Sequence, residues 1–241
     1  MFRHQGKSRT LKHNLQLAAL LSLVAGIVNV TGYFAVHTLT TNVTGHFAFF
    51  ANEVLRKEYS MALLYLVFIF AFFFGAFFSS LIVELISRRN SRYVYIAPVA
   101  IEATILIVIA LLSRENIVDN ANIISCSLLF AMGLQNSLVT NISNSVVRTT
   151  HLTGLFTDLG IELSQIFFYR EPEQQKRLRS SIGLRLTIIS FFFMGCIAGG
   201  FAYYLFGIFS LLLAAAILIA GVIYDGVKYR VTVITRKYSG H

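Results

Sequence analysis

Six runs of mainly apolar residues, at 15–36, 61–86, 94–113, 121–140, 184–204 and 207–224, leave this chain little choice of solvent. About 20 such residues in helical form cross the roughly 30 Å hydrocarbon core of a bilayer. In lipid, backbone N–H and C=O groups must be satisfied within the protein, which selects helices for such runs. Composition agrees, because 56% of the 241 residues are apolar and 13% charged, against roughly 45 to 50% and about 25% in soluble domains. A disordered chain and a secreted disulfide scaffold are excluded on the same numbers. Cys126 and Cys196 fall inside apolar runs, without the Cys or His neighbours of a metal or redox motif.

Charge is carried between the runs. If the N-terminus is cytoplasmic, the inner segments hold sixteen Lys and Arg, among them Arg88, Arg148, Lys176 and Lys228, and the outer ones hold only Arg56, Lys57 and Arg114. By the positive-inside rule both termini are expected in the cytoplasm. The net charge of +9 is then an orientation signal, and no nucleic-acid partner is expected. The basic stretch before residue 15 leads into an apolar run longer than the roughly 7 to 15 residues of a secretory signal core, so it is read as an uncleaved first span.

The two halves resemble each other. Thr41-Asn42-Val43-Thr44-Gly45 after the first run matches Thr150-His151-Leu152-Thr153-Gly154 after the fourth, at an offset of 109, and Glu53 falls on Glu162 at the same offset. Gly26-Ile27-Val28-Asn29 pairs with Gly133-Leu134-Gln135-Asn136 at an offset of 107, and Gly75 with Gly195 at 120. We expect an all-α integral membrane fold of six transmembrane helices, arranged as two inverted three-helix repeats, 14–113 and 121–224. Residues 1–13 and 225–241 would form cytoplasmic tails and 114–120 an outer loop. Three spans per repeat reverse the second repeat in the membrane, an arrangement known in secondary transporters.

After each matched pentapeptide comes an apolar stretch too short to cross alone, so each is expected to be a re-entrant turn followed by a half-helix. Thr44 and Thr153 are candidate N-caps, and Gly45 and Gly154 permit close backbone approach. Two half-helix N-termini facing one another near mid-membrane would favour an anion or polar dipole. Candidate substrate-binding residues are therefore Asn29, Thr41, Asn42, Thr44, Gly45, His46, Asn136, Thr150, His151, Thr153 and Gly154. No metal or other cofactor is expected.

These segments carry a resemblance. Gly26-x-x-Asn29-x-x-Gly32-Tyr33, Asn42-x-Thr44-Gly45, Gly133-x-Gln135-Asn136 and the run from Thr150 to Gly160 are similar to motifs of the YoaK family of bacterial membrane proteins, over nearly the whole chain. The resemblance implies six spans and a bacterial inner-membrane setting, and names no substrate.

Ionisable groups near the membrane supply candidates for coupling or gating: Glu53, Glu102, Arg148, Asp158 and Glu162. Glu102 stands out because an acid in the middle of a span costs at least about 2.5 kcal/mol on insertion scales. Glu84 and Arg88 are spaced for an interfacial i,i+4 pair. Gly75-x-x-x-Ser79 and Gly195-x-x-x-Gly199 form small-residue faces suited to close helix packing, expected within the chain, and the run Phe68–Phe78 is expected to face lipid. The expected function is a small transporter or channel for a small anion or polar solute, with a homodimer as a plausible assembly. A structural, sensory or lipid-binding protein is the alternative. An enzyme is disfavoured by the lack of HExxH, GxSxG or a phosphate loop.

Overall fold

The computed structural model describes residues 10–88, 94–143 and 147–238, which hold nine α-helices and no strand. They are α1 (Leu11–Val36), α2 (Val43–Leu55), α3 (Tyr59–Ser87), α4 (Ile96–Ala110), α5 (Arg114–Asp119), α6 (Ala121–Ile142), α7 (Leu152–Ile166), α8 (Pro172–Phe206) and α9 (Ser210–Tyr238). Four stretches are long and apolar enough to cross a bilayer: α1, α3, α6 and the run Pro172–Lys228. That last run, 57 residues long, contains α8 and most of α9. The two are separated at Gly207, whose φ of 60° is open to glycine at no steric cost.

Three helices differ in extent from the apolar runs. Pro172 starts α8 twelve residues before the run at 184, because proline is preorganised for the first helical position and needs no N–H partner there. At 35 residues, α8 is about 52 Å long. In contrast α4 has only 15 residues, about 22 Å. Helix α9 also continues to Tyr238, where a tail was expected to begin at 225.

The bundle is organised by two pairs of helices in close contact, α1 with α8 and α3 with α6. A Cβ on Gly26 would fall on the Phe192 carbonyl of α8, and one on Gly195 on the Leu23 carbonyl of α1. The second pair repeats this: Gly133 faces the Phe72 carbonyl, and Gly75 the Phe130 carbonyl. The small-residue faces read from the sequence thus meet partners within the chain. Contacts that advance together, Leu23 with Gly195 and Phe34 with Tyr203, set α1 parallel to α8. Helix α9 runs back along α1, since Thr31 meets Ser210 (3.0 Å) while Gly221 meets Leu20.

Helices α1 and α6 form the inside of the bundle. Leu17, Leu21, Val24, Ile27 and Val28 of α1 and Leu128, Leu129, Met132 and Leu138 of α6 are fully buried. Polar ties cross between these two helices and their extensions. The Gln135 Nε2 donates to the Leu21 carbonyl at 2.8 Å, and the hydroxyls of Thr38 and Ser125 lie 2.8 Å apart. On the outside, Phe70, Phe73, Phe74, Phe77 and Phe78 of α3 are exposed, as expected of a lipid-facing wall. Phe68 is the exception and is buried. The anticipated Glu84–Arg88 pair forms at 3.2 Å between exposed side chains.

The glycine contacts generate a prediction. Gly75→Leu pushes a side chain into a helix backbone, an overpacking that costs about 1 to 3 kcal/mol or more, and is expected to lower the melting temperature of the detergent-purified protein by several degrees. Gly183→Ala, where an added Cβ meets nothing within 4 Å, should leave it unchanged or raise it slightly. Equal melting temperatures for wild type and Gly75→Leu would mean that the two backbones do not touch.

Candidate functional site

Each Thr-Gly segment is tied back to the helix before it through one asparagine. At the end of α1, His37 adopts a left-handed conformation (φ 54°) and its N–H donates to the Tyr33 carbonyl at 3.1 Å, which stops the helix and turns the chain back. Asn29 Oδ1 then accepts from the Thr41 N–H (3.2 Å) and the Thr41 hydroxyl (3.0 Å). The same bond recurs in the second half, where the Thr150 hydroxyl donates to Asn136 Oδ1 at 3.1 Å. Beside each anchor lies a fully buried threonine, Thr40 and Thr149, whose hydroxyl has no hydrogen-bond partner among the described residues.

The half-helices are capped differently from the expectation. Asn42, and not Thr44, caps α2: its Oδ1 accepts the Gly45 N–H at 3.0 Å. His151 occupies the cap position of α7 without a side-chain cap bond, its ring lying beside Gly154 where a Cβ would stand. Thr44 and Thr153 are exposed inside the first turns, too late in the helix to serve as caps. The sequence misled because Asn42 and Thr44 are both good cappers, and the Asn29–Thr41 tie decides which one stands at the boundary.

Around α2 the site is filled with rings. The His46 Nε2 faces the Leu39 carbonyl at 3.2 Å, and the imidazole packs against Phe49, Tyr65 and Phe68. His46 is 3% exposed, and this burial lowers its pKa more than the Leu39 contact raises it. Glu53 accepts from Asn52 at 2.9 Å.

Around α7 the site is open. A cavity of about 620 Å³ is bounded by Arg148, His151, Gly154 and Asp158 on one side and by Ser180, Ser181 and Arg185 of α8 on the other. Arg185 holds the two helices together: its Nε and Nη2 donate to Glu162 at 2.8 and 2.9 Å, and its Nη1 lies 3.0 Å from Asp158. The Ser181 hydroxyl adds a 2.6 Å bond to Glu162. Burial pushes the Glu162 carboxyl up, but the hydrogen bonds and charge of Arg185 with the Ser181 bond outweigh it and leave the pKa below its ordinary value. Arg185 carries no signal in the sequence, because its partners lie 23 and 27 residues away and no local spacing announces them. Arg148 has no hydrogen bond or ion pair among the described residues.

The two units are not brought into one site. Helix α2 packs on α3 and α7 on α8, and among the described residues the two half-helices make no contact. Other cavities among the described residues include apolar grooves, one at Phe74, Cys126 and Phe130 and another at Phe34, Cys196 and Tyr203, and hollows beside Lys176 at the start of α8. No group of three or more His, Cys, Asp and Glu suited to a metal ion occurs among the described residues. Glu102 lies apart from both turns, fully buried on α4, and neither carboxylate oxygen has a hydrogen-bond partner among the described residues.

Long apolar helices with an aromatic outer wall define an α-helical multi-pass membrane protein. The chain belongs to the family described as protein of unknown function (DUF1275), whose model matches residues 17–224. It is similar to the UPF0700 transmembrane protein YoaK of Bacillus subtilis (strain 168), with 26% identity over 174 residues, 72% of this chain and 77% of that protein. The resemblance carried by the Gly26, Asn42, Gly133 and Thr150 motifs is thereby borne out. No solved structure matches the chain.

The Arg185 clasp yields a second prediction. Glu162→Gln is expected to cost up to about 1.5 to 3 kcal/mol at neutral pH, the range for hydrogen bonds to charged groups. Because the folded-state pKa of Glu162 is lowered, its stabilisation is present above the ordinary value and lost as pH falls through the folded one. The gap in melting temperature between wild type and Glu162→Gln should therefore be widest near pH 7 and narrow below about pH 4.3, the reference Glu value. A gap independent of pH would rule out the charged clasp.

Proposed function

We propose that this protein is a non-enzymatic transporter for a small anion or polar solute, built from inverted repeats at 14–113 and 121–224 that together cross the bacterial cytoplasmic membrane six times. The observation that carries the reading is the duplicated Asn–Thr anchor, Asn29 with Thr41 and Asn136 with Thr150. Each anchor holds a broken connection that leads into a half-helix of 13 or 15 residues, about 20 to 22 Å, too short to cross the hydrocarbon core. Irregular backbone at such depth is tolerated where it is buried in protein or lines a water-filled cavity.

Support for the repeat comes from the packing rules themselves. Residues of α1 map to α6 by adding 107, and those of α3 to α8 by adding 120. Under those shifts the contact of Gly26 with the Phe192 carbonyl becomes that of Gly133 with the Phe72 carbonyl, with partners exchanged between the halves. The charge bias around the apolar runs places both termini in the cytoplasm on this reading, so α2 enters from the outside and α7 from the inside. A solute site shared by both turns requires a rearrangement that brings them to a common cavity, with the gating charges Arg148, Asp158 and Glu162 on the inner side and Glu53 on the outer. Glu102, a buried acid without a hydrogen-bond partner among the described residues, is the candidate for coupling to protons or cations. A second copy of the chain is a natural partner for so small a transporter.

Two measurements test this reading. Single cysteines at Lys57 and Asn120 in a cysteine-free background should react with an impermeant maleimide from outside intact cells, and one at Phe168 only after lysis; the reverse pattern would refute the topology. Protein reconstituted in liposomes should move radiolabelled small anions or polar metabolites, and Glu102→Gln should abolish the acceleration by a pH gradient. A folded protein that moves no member of a broad panel would turn the weight to a structural or lipid-binding role.

A further inference from the structure

The two turn units have diverged in a way that points to a ligand. By the offsets of 109 for the half-helices and 120 for the long helices that follow them, His46, Phe49, Tyr65 and Phe68 correspond to Leu155, Asp158, Arg185 and Ile188. In the first unit these four are rings packed with centroids 5.3 to 6.4 Å apart, and they fill the space between α2 and α3. In the second unit all four counterparts line the cavity of about 620 Å³, a volume within the usual range of about 300 to 1,000 Å³ for small-molecule pockets.

Capping differs in the same sense. The Gly45 N–H is taken by Asn42, whereas the first-turn N–H groups of α7, at Leu152, Thr153 and Gly154, have no acceptor among the described residues. His151 and Gly154 both border the cavity, so its wall includes this uncapped turn. Arg148 also borders it, and its position in the first unit is held by Leu39. The charges facing the cavity are Arg148, Arg185 and Asp158, with Glu162 beside Arg185. The two acids are engaged with Arg185, and Asp158 stands four to six residues beyond Gly154, Thr153 and Leu152, about 6 to 9 Å along the axis. Arg148, His151 and the free N–H groups are therefore left at the other end, an arrangement of donors and positive charge suited to oxygen anions.

We infer that the α7 cavity is an oxyanion site, taking the carboxylate or phosphate group of a small ligand on Arg148, His151 and the first-turn N–H groups of α7, and that the corresponding place beside α2 is closed by its own aromatic side chains. The inference rests on reading the two turn units as repeats, and not on transport. It deepens the proposed function by naming the chemistry of the solute.

The test is binding to the full-length protein in detergent, read by calorimetry and thermal shift, with inorganic phosphate and succinate as free probes and phosphatidylglycerol in nanodiscs as a headgroup probe. Saturable binding is expected. Arg148→Gln should weaken it about tenfold or more, the scale of losing one charge-assisted bond, and Arg148→Lys should retain most of it. His151→Phe, which keeps a ring beside Gly154, should weaken it by a smaller factor and serves if Arg148→Gln fails to fold. Tyr65→Leu in the filled unit should leave the affinity unchanged. Binding of phosphatidylglycerol alone, lost in Arg148→Gln, would assign the same site to a lipid headgroup. No saturable binding of any probe, or binding equal to wild type in both Arg148→Gln and His151→Phe, would overturn the inference. Binding without flux would sink the transport reading while leaving this one standing.

Discussion

Backbone meeting backbone at four glycines is the contact on which the rest of the molecule depends. Lipid gives helices no hydrophobic reason to associate, so their association rests on close packing and hydrogen bonds. Gly26 and Gly195 bring α1 against α8, and Gly75 and Gly133 bring α3 against α6. These pairings leave α1 and α6 on the inside, where fully buried ties such as Gln135 to Leu21 join them, while α4 and α9 pack on each other and on the inner helices. Each outer helix in turn provides the only surface against which a half-helix rests among the described residues.

The polar groups follow a second constraint, that a buried donor or acceptor must be satisfied or have a reason not to be. Asn29 and Asn136 meet it by holding the chain that leaves their own helices. Thr40, Thr149 and Glu102 do not meet it within the described residues. Thr40 and Thr149 are separated by 109 residues, the offset of the Thr-Gly segments that follow them.

Much of this was legible in the sequence, and the parts that were not share a cause. Apolar runs and small-residue spacing are local patterns, so the long helices, the glycine faces and the Glu84–Arg88 pair could be read directly. The anchor residues Asn29, Thr41, Asn136 and Thr150 could be singled out because two matching segments double the signal. Tertiary choices were not legible. Asn42 caps α2 in preference to Thr44 because a bond from the preceding helix sets the boundary, and Arg185 finds its carboxylates on a different helix. The polar residues of the two turns were expected to meet, yet in the structure each set closes on its own helix, since turn and anchoring helix are neighbours in the chain.

Helices α2 and α7 each lean on a single neighbour, and this gives the fold an evolutionary degree of freedom. A substitution on either half-helix has to be accommodated by one partner surface and leaves the glycine contacts of the inner bundle untouched. The scaffold and its two inserts can therefore change at different rates: the former is held by backbone contacts that accept almost no new side chain, the latter by faces that can be rewritten from a polar hollow to an aromatic plug through a handful of positions. A chain of this kind can change the surroundings of one half-helix while those of the other stay as they are.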